Sequence, residues 1–257
     1  MRRINISIVG ALGKMGQMLI KNIDQNKHLR LYSLTDLKFG KKIKGILVRK
    51  NCAAAFKKTD VIIDFSSPKS LNEILNYAKK FKKKLIIGTT GFTSKQEKLI
   101  KNYSNKIAIF KTGNMSLGIN LIEYITKILS KKIKKNYKIG IVDNHHKSKI
   151  DYPSGTALML ANAVAEGKNE NLNNLKGRYF LNKKGNFNNN KINFFITRKG
   201  NTIGEHSVIY KNNVETIELK HVAFSRELFA NGALNAAVWI KKKKKGLFSM
   251  QDMFNLK

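Results

Sequence analysis

The sequence predicts an α/β protein: a Rossmann-type doubly wound parallel sheet plus an α+β C-terminal domain with an open mixed sheet. Three observations predict it. A β-rich stretch at 4–9 runs into Gly10-Ala11-Leu12-Gly13-Lys14-Met15-Gly16 and then into apolar residues at helical spacing, Met18, Leu19, Ile20 and Ile23. Strand and helix patterns then alternate as far as Phe110, as a parallel sheet covered on both faces requires. Beyond residue 190 three strand patterns follow in succession, at 192–198, 203–210 and 214–222.

Each element of the first half has a local reason. Gly10 permits a tight turn, Gly13 lets the backbone approach a pyrophosphate, and Gly16 lets the helix pack closely on the strand. The free N–H groups of that helix start suit phosphate. The spacing is GxxGxxG rather than GxGxxG, and an ordinary glycine turn is the competing reading. A second strand at 31–35 ends at Asp36, where a dinucleotide fold places an acid for the adenosine ribose; a solvated turn carboxylate is the alternative. Leu37 supplies no cation for a 2′-phosphate, whereas Lys38, Lys41 and Lys42 lie close by in sequence. A strand at 61–65 ends in Asp64-Phe65-Ser66-Ser67-Pro68, a helix follows over 69–81, and a strand at 85–87 ends in Gly88-Thr89-Thr90-Gly91-Phe92. A helix over 94–103 and a strand at 107–110 complete the series. Loops 10–16, 88–92 and 112–115 then share the carboxyl edge of the sheet, where such folds bind ligands.

Composition narrows the function classes. The 257 residues hold 50 Lys and Arg against 16 Asp and Glu, a formal net charge of +34, and 42% are hydrophobic. That apolar share excludes a disordered polycation. Only seven of the basic residues are Arg, while Lys, Asn and Ile abound, a bias we attribute to an AT-rich coding sequence. The lysines are spread over nearly every segment, and aromatics do not interleave with Arg. Lys82–Lys84 and Lys241–Lys245 therefore read as solvated faces, and no specific nucleic-acid partner is expected. The single cysteine, Cys52, excludes an internal disulfide framework and a multi-cysteine zinc site. No apolar run approaches the roughly 20 residues that span a bilayer. The first residues enter a strand rather than a leader. A cytoplasmic protein without a membrane partner is expected.

The middle of the chain carries the chemistry. Asn114-Met115-Ser116-Leu117-Gly118 precedes a helix of about 14 residues with an apolar face of Leu121, Ile122, Ile125, Ile128 and Leu129. A strand at 137–142 then leads into a loop, Asp143-Asn144-His145-His146-Lys147-Ser148-Lys149-Ile150-Asp151-Tyr152-Pro153-Ser154-Gly155-Thr156-Ala157. Histidine donates protons near neutrality, and Lys149 adds fixed positive charge. Ser154-Gly155-Thr156 opens a helix whose free N–H groups form a carboxylate cradle. Together these suit a small dicarboxylate. A solvated histidine pair and a zinc site are the alternatives. Adjacent residues on an extended strand point to opposite faces and no Cys is near, so no metal is expected.

These residues resemble the 4-hydroxy-tetrahydrodipicolinate reductase (dihydrodipicolinate reductase) family, and the matched motifs span almost the whole chain. Besides the glycine loop they are Asp64-to-Pro68, Gly88-to-Phe92, Asn114-to-Gly118, His145-His146-x-x-Lys149-x-Asp151-x-Pro153-Ser154-Gly155-Thr156-Ala157, Gly204-Glu205-His206 and Ser225-Arg226-x-x-Phe229-Ala230-x-Gly232-Ala233. The resemblance implies hydride transfer from NADH and/or NADPH to a cyclic, unsaturated dicarboxylate, with loss of water. By the same resemblance His145 is the proton donor/acceptor and Lys149 a second donor, and His146, Gly155 and Thr156 bind substrate. The cofactor contacts it implies are Gly10, Ala11, Leu12, Gly13, Lys14, Met15, Asp36, Gly88, Thr89, Thr90, Thr112, Gly113, Asn114 and Met115. It also implies a homotetramer, and a nucleotide domain made of 1–114 and 226–257 around a substrate-binding and oligomerisation domain at 115–225. The chain departs from the family at Asp143-Asn144, commonly Glu-Ala, at Leu37, a frequent Arg, and over 166–191, an Asn/Lys-rich stretch expected to form a mobile loop. Other two-domain Rossmann dehydrogenases are the competing class. A semialdehyde dehydrogenase among them needs a thiolate, and Cys52, in Asn51-Cys52-Ala53-Ala54-Ala55, lies away from every motif.

Overall fold

The computed structural model describes residues 2–256. In chain order the elements begin with β1 (Ile4–Val9), α1 (Lys14–Asn22), β2 (Leu29–Thr35), β3 (Lys42–Ile43), β4 (Ile46–Arg49), α2 (Ala53–Phe56), β5 (Val61–Asp64), α3 (Leu71–Lys80), β6 (Lys84–Ile87), α4 (Ser94–Ser104) and β7 (Ala108–Lys111). The chain continues through α5 (Leu117–Lys132), β8 (Lys138–His145), α6 (Gly155–Gly167), α7 (Leu172–Leu175), β9 (Lys176–Leu181), β10 (Ile192–Arg198), β11 (Gly204–Lys211) and β12 (Thr216–Ala223). It closes with α8 (Glu227–Ile240), β13 (Gly246–Phe248) and α9 (Met250–Phe254). These elements form two compact units, one of residues up to Met115 together with Arg226–Leu256, the other Ser116–Ser225.

The first unit is a sheet in the order β13-β7-β6-β5-β1-β2-β4-β3, parallel except for the β3–β4 pair. Its central strands are buried on both faces, with Ile6, Ile8, Ile62 and Ile63 fully enclosed; in β5, β6 and β7 this gives short unbroken apolar runs, whereas β1 alternates with Asn5 and Ser7. Two cores flank it. One gathers Leu19, Ile20, Leu34, Ala233, Leu234 and Ala237 from strands, α1 and α8; the other gathers Phe56, Leu71, Ile74, Leu75 and Ile100 from α2, α3 and α4. The parallel strands direct their carboxyl ends to one edge, and loops 10–16, 64–68, 88–92 and 112–115 all leave from that edge.

The second unit is a mixed sheet in the order β12-β11-β8-β10-β9. β8 pairs parallel with β10 and antiparallel with β11. Ile139, Ile141, Phe194, Ile196 and Val208 pack with Ile119, Leu160, Ala161 and Val164 in a core with α5 and α6. The opposite face carries the stacked rings of Phe180 and Phe195, with Phe187 tilted against Phe195.

Two expectations are corrected here. The strand expected over 137–142 continues to His145, because pairing with β10 on one side and β11 on the other holds Asp143, Asn144 and His145 extended despite their low β propensity. Residues 166–191 are not one loop: they contain the end of α6, α7 and the edge strand β9. Tyr179 packs edge-on against Phe194 and Phe180 stacks on Phe195, and such cross-strand aromatic pairs outweigh an Asn/Lys-rich setting. Among the described residues no helix is long and apolar enough to cross a membrane.

Candidate active site

In the first unit, the backbone of the glycine loop is aimed by local constraints. Gly10 sits at φ +79°, and a Cβ there would lie 2.4 Å from the Phe65 carbonyl oxygen, so only glycine fits. The Gly10 and Ala11 amides donate to the Thr35 carbonyl at 2.9 and 3.1 Å. Gly13 is the N-cap of α1 in extended conformation, and no side chain caps the helix start. Among the described residues the first amides of α1 therefore lack a capping side chain, the condition under which a helix N-terminus takes an anion. Gly16 lets α1 sit on this turn: its Cβ would fall 2.1 Å from the Gly10 oxygen.

Asp36 stands at the end of β2 and faces the loop. Its carboxylate accepts the Leu12 amide at 2.9 Å and the Lys38 amide at 3.2 Å. Leu37 beside it is 80% exposed. Gly88 admits the Phe65 ring, which a Cβ would meet at 2.2 Å. Thr89 is buried and Thr90 exposed at the same edge. Thr112 Oγ1 donates to the Asn114 carbonyl at 3.1 Å, bending the chain across Gly113. The Met115 side chain is buried in the core, so its part at this edge is the backbone. Asp64, fully buried at the end of β5, bonds the Ser66 amide and hydroxyl through one oxygen, while the other has no hydrogen-bond partner. Burial pushes its carboxyl up to about 6. The cradle at Gly10–Gly16 and the acid at Asp36 fit a dinucleotide.

In the second unit, the strand end and the following loop assemble a polar cluster. His145, the last residue of β8, is 8% exposed, with Nδ1 2.9 Å from Asp143 Oδ1. Asp143, two residues earlier on the same face, is fully buried. It accepts the Ser154 amide at 2.7 Å and Arg198 Nη2 at 2.9 Å. Burial alone raises such an acid, but His145, His206, the Ser154 amide and Arg198 together hold Asp143 far below the usual carboxylate range. Burial pushes the His145 imidazole down; Asp143 draws it back up, and His206 and Lys149 add to the lowering. The His206 ring meets His145 edge-on at 4.9 Å, and its Nε2 lies 3.2 Å from Ser154 Oγ. Asp143, His145 and His206 are close enough to share a cation, but the Arg198 guanidinium already occupies one oxygen of the only carboxylate among them.

The loop carries the remaining expected residues. Lys149 Nζ pairs with both Asp151 oxygens at 2.7 and 2.8 Å. The His146 amide donates to the Thr202 carbonyl at 2.7 Å, and its Nδ1 lies 2.9 Å from Ser148 Oγ. Ser154 caps α6 by accepting the Ala157 amide at 3.2 Å. Gly155 is exposed with open space where a Cβ would project, and Thr156 is buried just behind it. His145, Lys149 and the start of α6 thus belong to one cluster at the end of β8, where the helix amides of α6 face outward and Lys149 is held in an ion pair with Asp151.

Residues 4–115 match the family model "Dihydrodipicolinate reductase, N-terminus", and residues 118–254 match "Dihydrodipicolinate reductase, C-terminus". The chain belongs to the dihydrodipicolinate reductase family. It is 52% identical over 258 residues to the 4-hydroxy-tetrahydrodipicolinate reductase of Pelagibacter ubique, with 100% of each chain covered. It is 43% identical to the enzyme of that name from Buchnera aphidicola subsp. Cinara cedri, over 98% of this chain and 97% of that one. Its fold is similar to the dipicolinate-bound dihydrodipicolinate reductase of Paenisporosarcina sp. TG-14, with TM-score 0.73 and 21% identity over 98% and 99% of the two chains. Within this reductase fold, sequence reasoning assigned no role to Asp143, Arg198 or His206. The available signal was spacing: Asp143 and His145 stand two apart, which on a strand means one face.

Proposed function

We infer that this chain catalyses the NAD(P)H-dependent reduction of 4-hydroxy-tetrahydrodipicolinate, through dihydrodipicolinate, to tetrahydrodipicolinate with loss of water, in the diaminopimelate route to lysine. The observation that carries this reading is the gathering of His145, Lys149 and the α6 N-terminus at one strand end, in a chain of this family.

The nicotinamide supplies the hydride. We assign its dinucleotide to Gly10, Ala11, Leu12, Gly13, Lys14 and Met15, to Asp36 for the ribose, to Gly88, Thr89 and Thr90, and to Thr112, Gly113, Asn114 and Met115. The Asp36 carboxylate, already oriented by two amides, receives ribose hydroxyls and repels a 2′-phosphate, and Leu37 offers that phosphate no cation. This favours NADH. In the second unit, Thr156 and the amides at Gly155 and Thr156 take one substrate carboxylate, with His146 beside them. Hydride addition to the conjugated imine leaves an enamine that needs a proton, and His145 donates it. The substrate's negative charge favours the imidazolium and so offsets the burial that lowers it. Lys149 exchanges part of its Asp151 pairing for substrate and serves as second donor. The aromatic face of Phe180, Phe187 and Phe195 supports a homotetramer built on the five-stranded sheet. The lack of a disulfide framework supports a cytoplasmic site of action.

The test is a coupled assay with freshly made dihydrodipicolinate synthase product, following NADH and NADPH absorbance. Oxidation of at least one is expected, and His145→Gln and Lys149→Ala each lower turnover by roughly 10²-fold or more while leaving NADH affinity unchanged. A folded protein that oxidises neither cofactor overturns the reading.

A further inference from the structure

Asp143 is fully buried and four groups converge on it. One oxygen takes the Ser154 amide and Arg198 Nη2; the other faces His145 Nδ1 at 2.9 Å and His206 Nε2 at 3.4 Å. Asp143 Oδ1 and His145 Nδ1 lie 2.9 Å apart, and neither completes an aligned hydrogen bond to any group, so a proton on Nδ1, with a small turn of the ring into line, serves both. Arg198, its side chain only 6% exposed, also donates to the Asp143 and Asp151 carbonyls at 2.8 and 2.9 Å. One ion pair thereby reaches the imidazole, the loop that bears Lys149, and the residue that caps α6.

We propose that Asp143 and Arg198 are positioning residues for proton transfer: Asp143 holds His145 as the Nδ1–H tautomer with Nε2 turned outward, and Arg198 fixes the Lys149 loop to the same carboxylate. The imidazole nitrogen that is free to exchange a proton is set by the bond the other one makes. Gly204 fits this arrangement, because a Cβ there would crowd His145 Nε2 at 3.3 Å. The charged and titratable groups facing His145 are Asp143 on its own strand, Lys149 with Asp151 on the loop, Arg198 on β10 and His206 on β11, with His221 beyond His206 on β12. Only Asp143 among those acting on His145 favours the imidazolium.

The inference rests on the reductase reading, and its test separates the two. In the wild-type protein, long-range ¹H–¹⁵N spectra of the histidine rings, assigned with His145→Gln, are expected to show His145 as Nδ1–H; an Nε2–H tautomer overturns the proposal whether or not the protein turns over. Asp143→Asn is expected to lower kcat about 10²-fold at unchanged NADH affinity, and to move the alkaline limb of the pH profile to lower pH. Asp143→Glu, which keeps the charge, restores most of the rate. Arg198→Lys loses the fork geometry and raises the substrate KM by roughly tenfold. A folded Asp143→Asn enzyme with wild-type kcat and an unmoved profile overturns the proposal. Should it not fold, the wild-type tautomer decides. A wild type that does not turn over overturns the reductase reading alone.

Discussion

A carboxylate cut off from water, with one oxygen unpartnered, is costly to ionise, and Asp64 is such a group. Its pKa is pushed from the ordinary 3.8 up to about 6 in the folded chain. The folded state therefore binds more protons than the unfolded state between those values, and stability falls as pH rises through that window. Two units correspond to about 3 kcal/mol. Asp64→Asn is expected to raise the melting temperature at pH 7.5, by less at pH 5, and by almost nothing near pH 4, as read by thermal denaturation at each pH. At this scale the sequence was partly legible. Gly10 and Asp36 stand out by type and spacing, and the structure sets both at the carboxyl edge of the sheet; His145 and Lys149 were singled out from their loop by the family resemblance. Asp143 and Arg198 were not, because their pairing depends on the parallel register that sets His145 opposite Arg198, a tertiary fact that no local pattern encodes.

At the scale of elements, close packing explains what the motif glycines do. α1 rests on the loop that precedes it, and a Cβ on Gly16 would fall 2.1 Å from the Gly10 oxygen and 2.7 Å from the Ala11 Cα. Both are backbone atoms, so neither can swing aside. Gly16→Ala is expected to cost about 2 kcal/mol and to weaken binding of the nicotinamide cofactor, measured by denaturant melts and by titration with NADH and NADPH. The first-half strands β5, β6 and β7 were legible because burial on both faces makes their short runs apolar. β8 was cut short, because Asp-Asn-His is a poor strand sequence and its neighbours decide the matter. β9 was missed for a related reason: Tyr179 and Phe180 acquire meaning only once Phe194 and Phe195 lie beside them. The β3–β4 hairpin, turning at Gly45 with φ +76°, escaped notice among lysines.

For the whole molecule the dominant quantity is the +34 formal charge. Few of its lysines enter either site, and ion pairs such as Lys21–Glu227 and Lys127–Glu166 are solvent-exposed and contribute little. Self-repulsion on this scale opposes compactness, while the positive field gathers an anionic cofactor and substrate. Raising salt from 20 to about 200 mM shortens the screening length to below about 10 Å. It should raise the melting temperature and lower kcat/KM together. A kcat/KM indifferent to salt would show that the charge takes no part in capture. The doubly wound sheet and the mixed sheet were legible from strand order, whereas the charge, the most conspicuous feature of the composition, identified neither site.

The first unit is sewn from two separated stretches of chain, and this imposes a schedule on its birth. During synthesis its strands emerge early, but Ala230, Ala233, Leu234 and Ala237, which share a core with Ile6, Ile8 and Phe110, emerge only after all of Ser116–Ser225 has been made. The intervening unit is continuous and is free to fold at once, as domains do on the ribosome. The older sheet must wait with one apolar face only partly covered, by α1, until α8 arrives. A nascent chain stalled before Glu227 is thus a natural client for chaperones, and the helix made late is the one that seals the sheet made first.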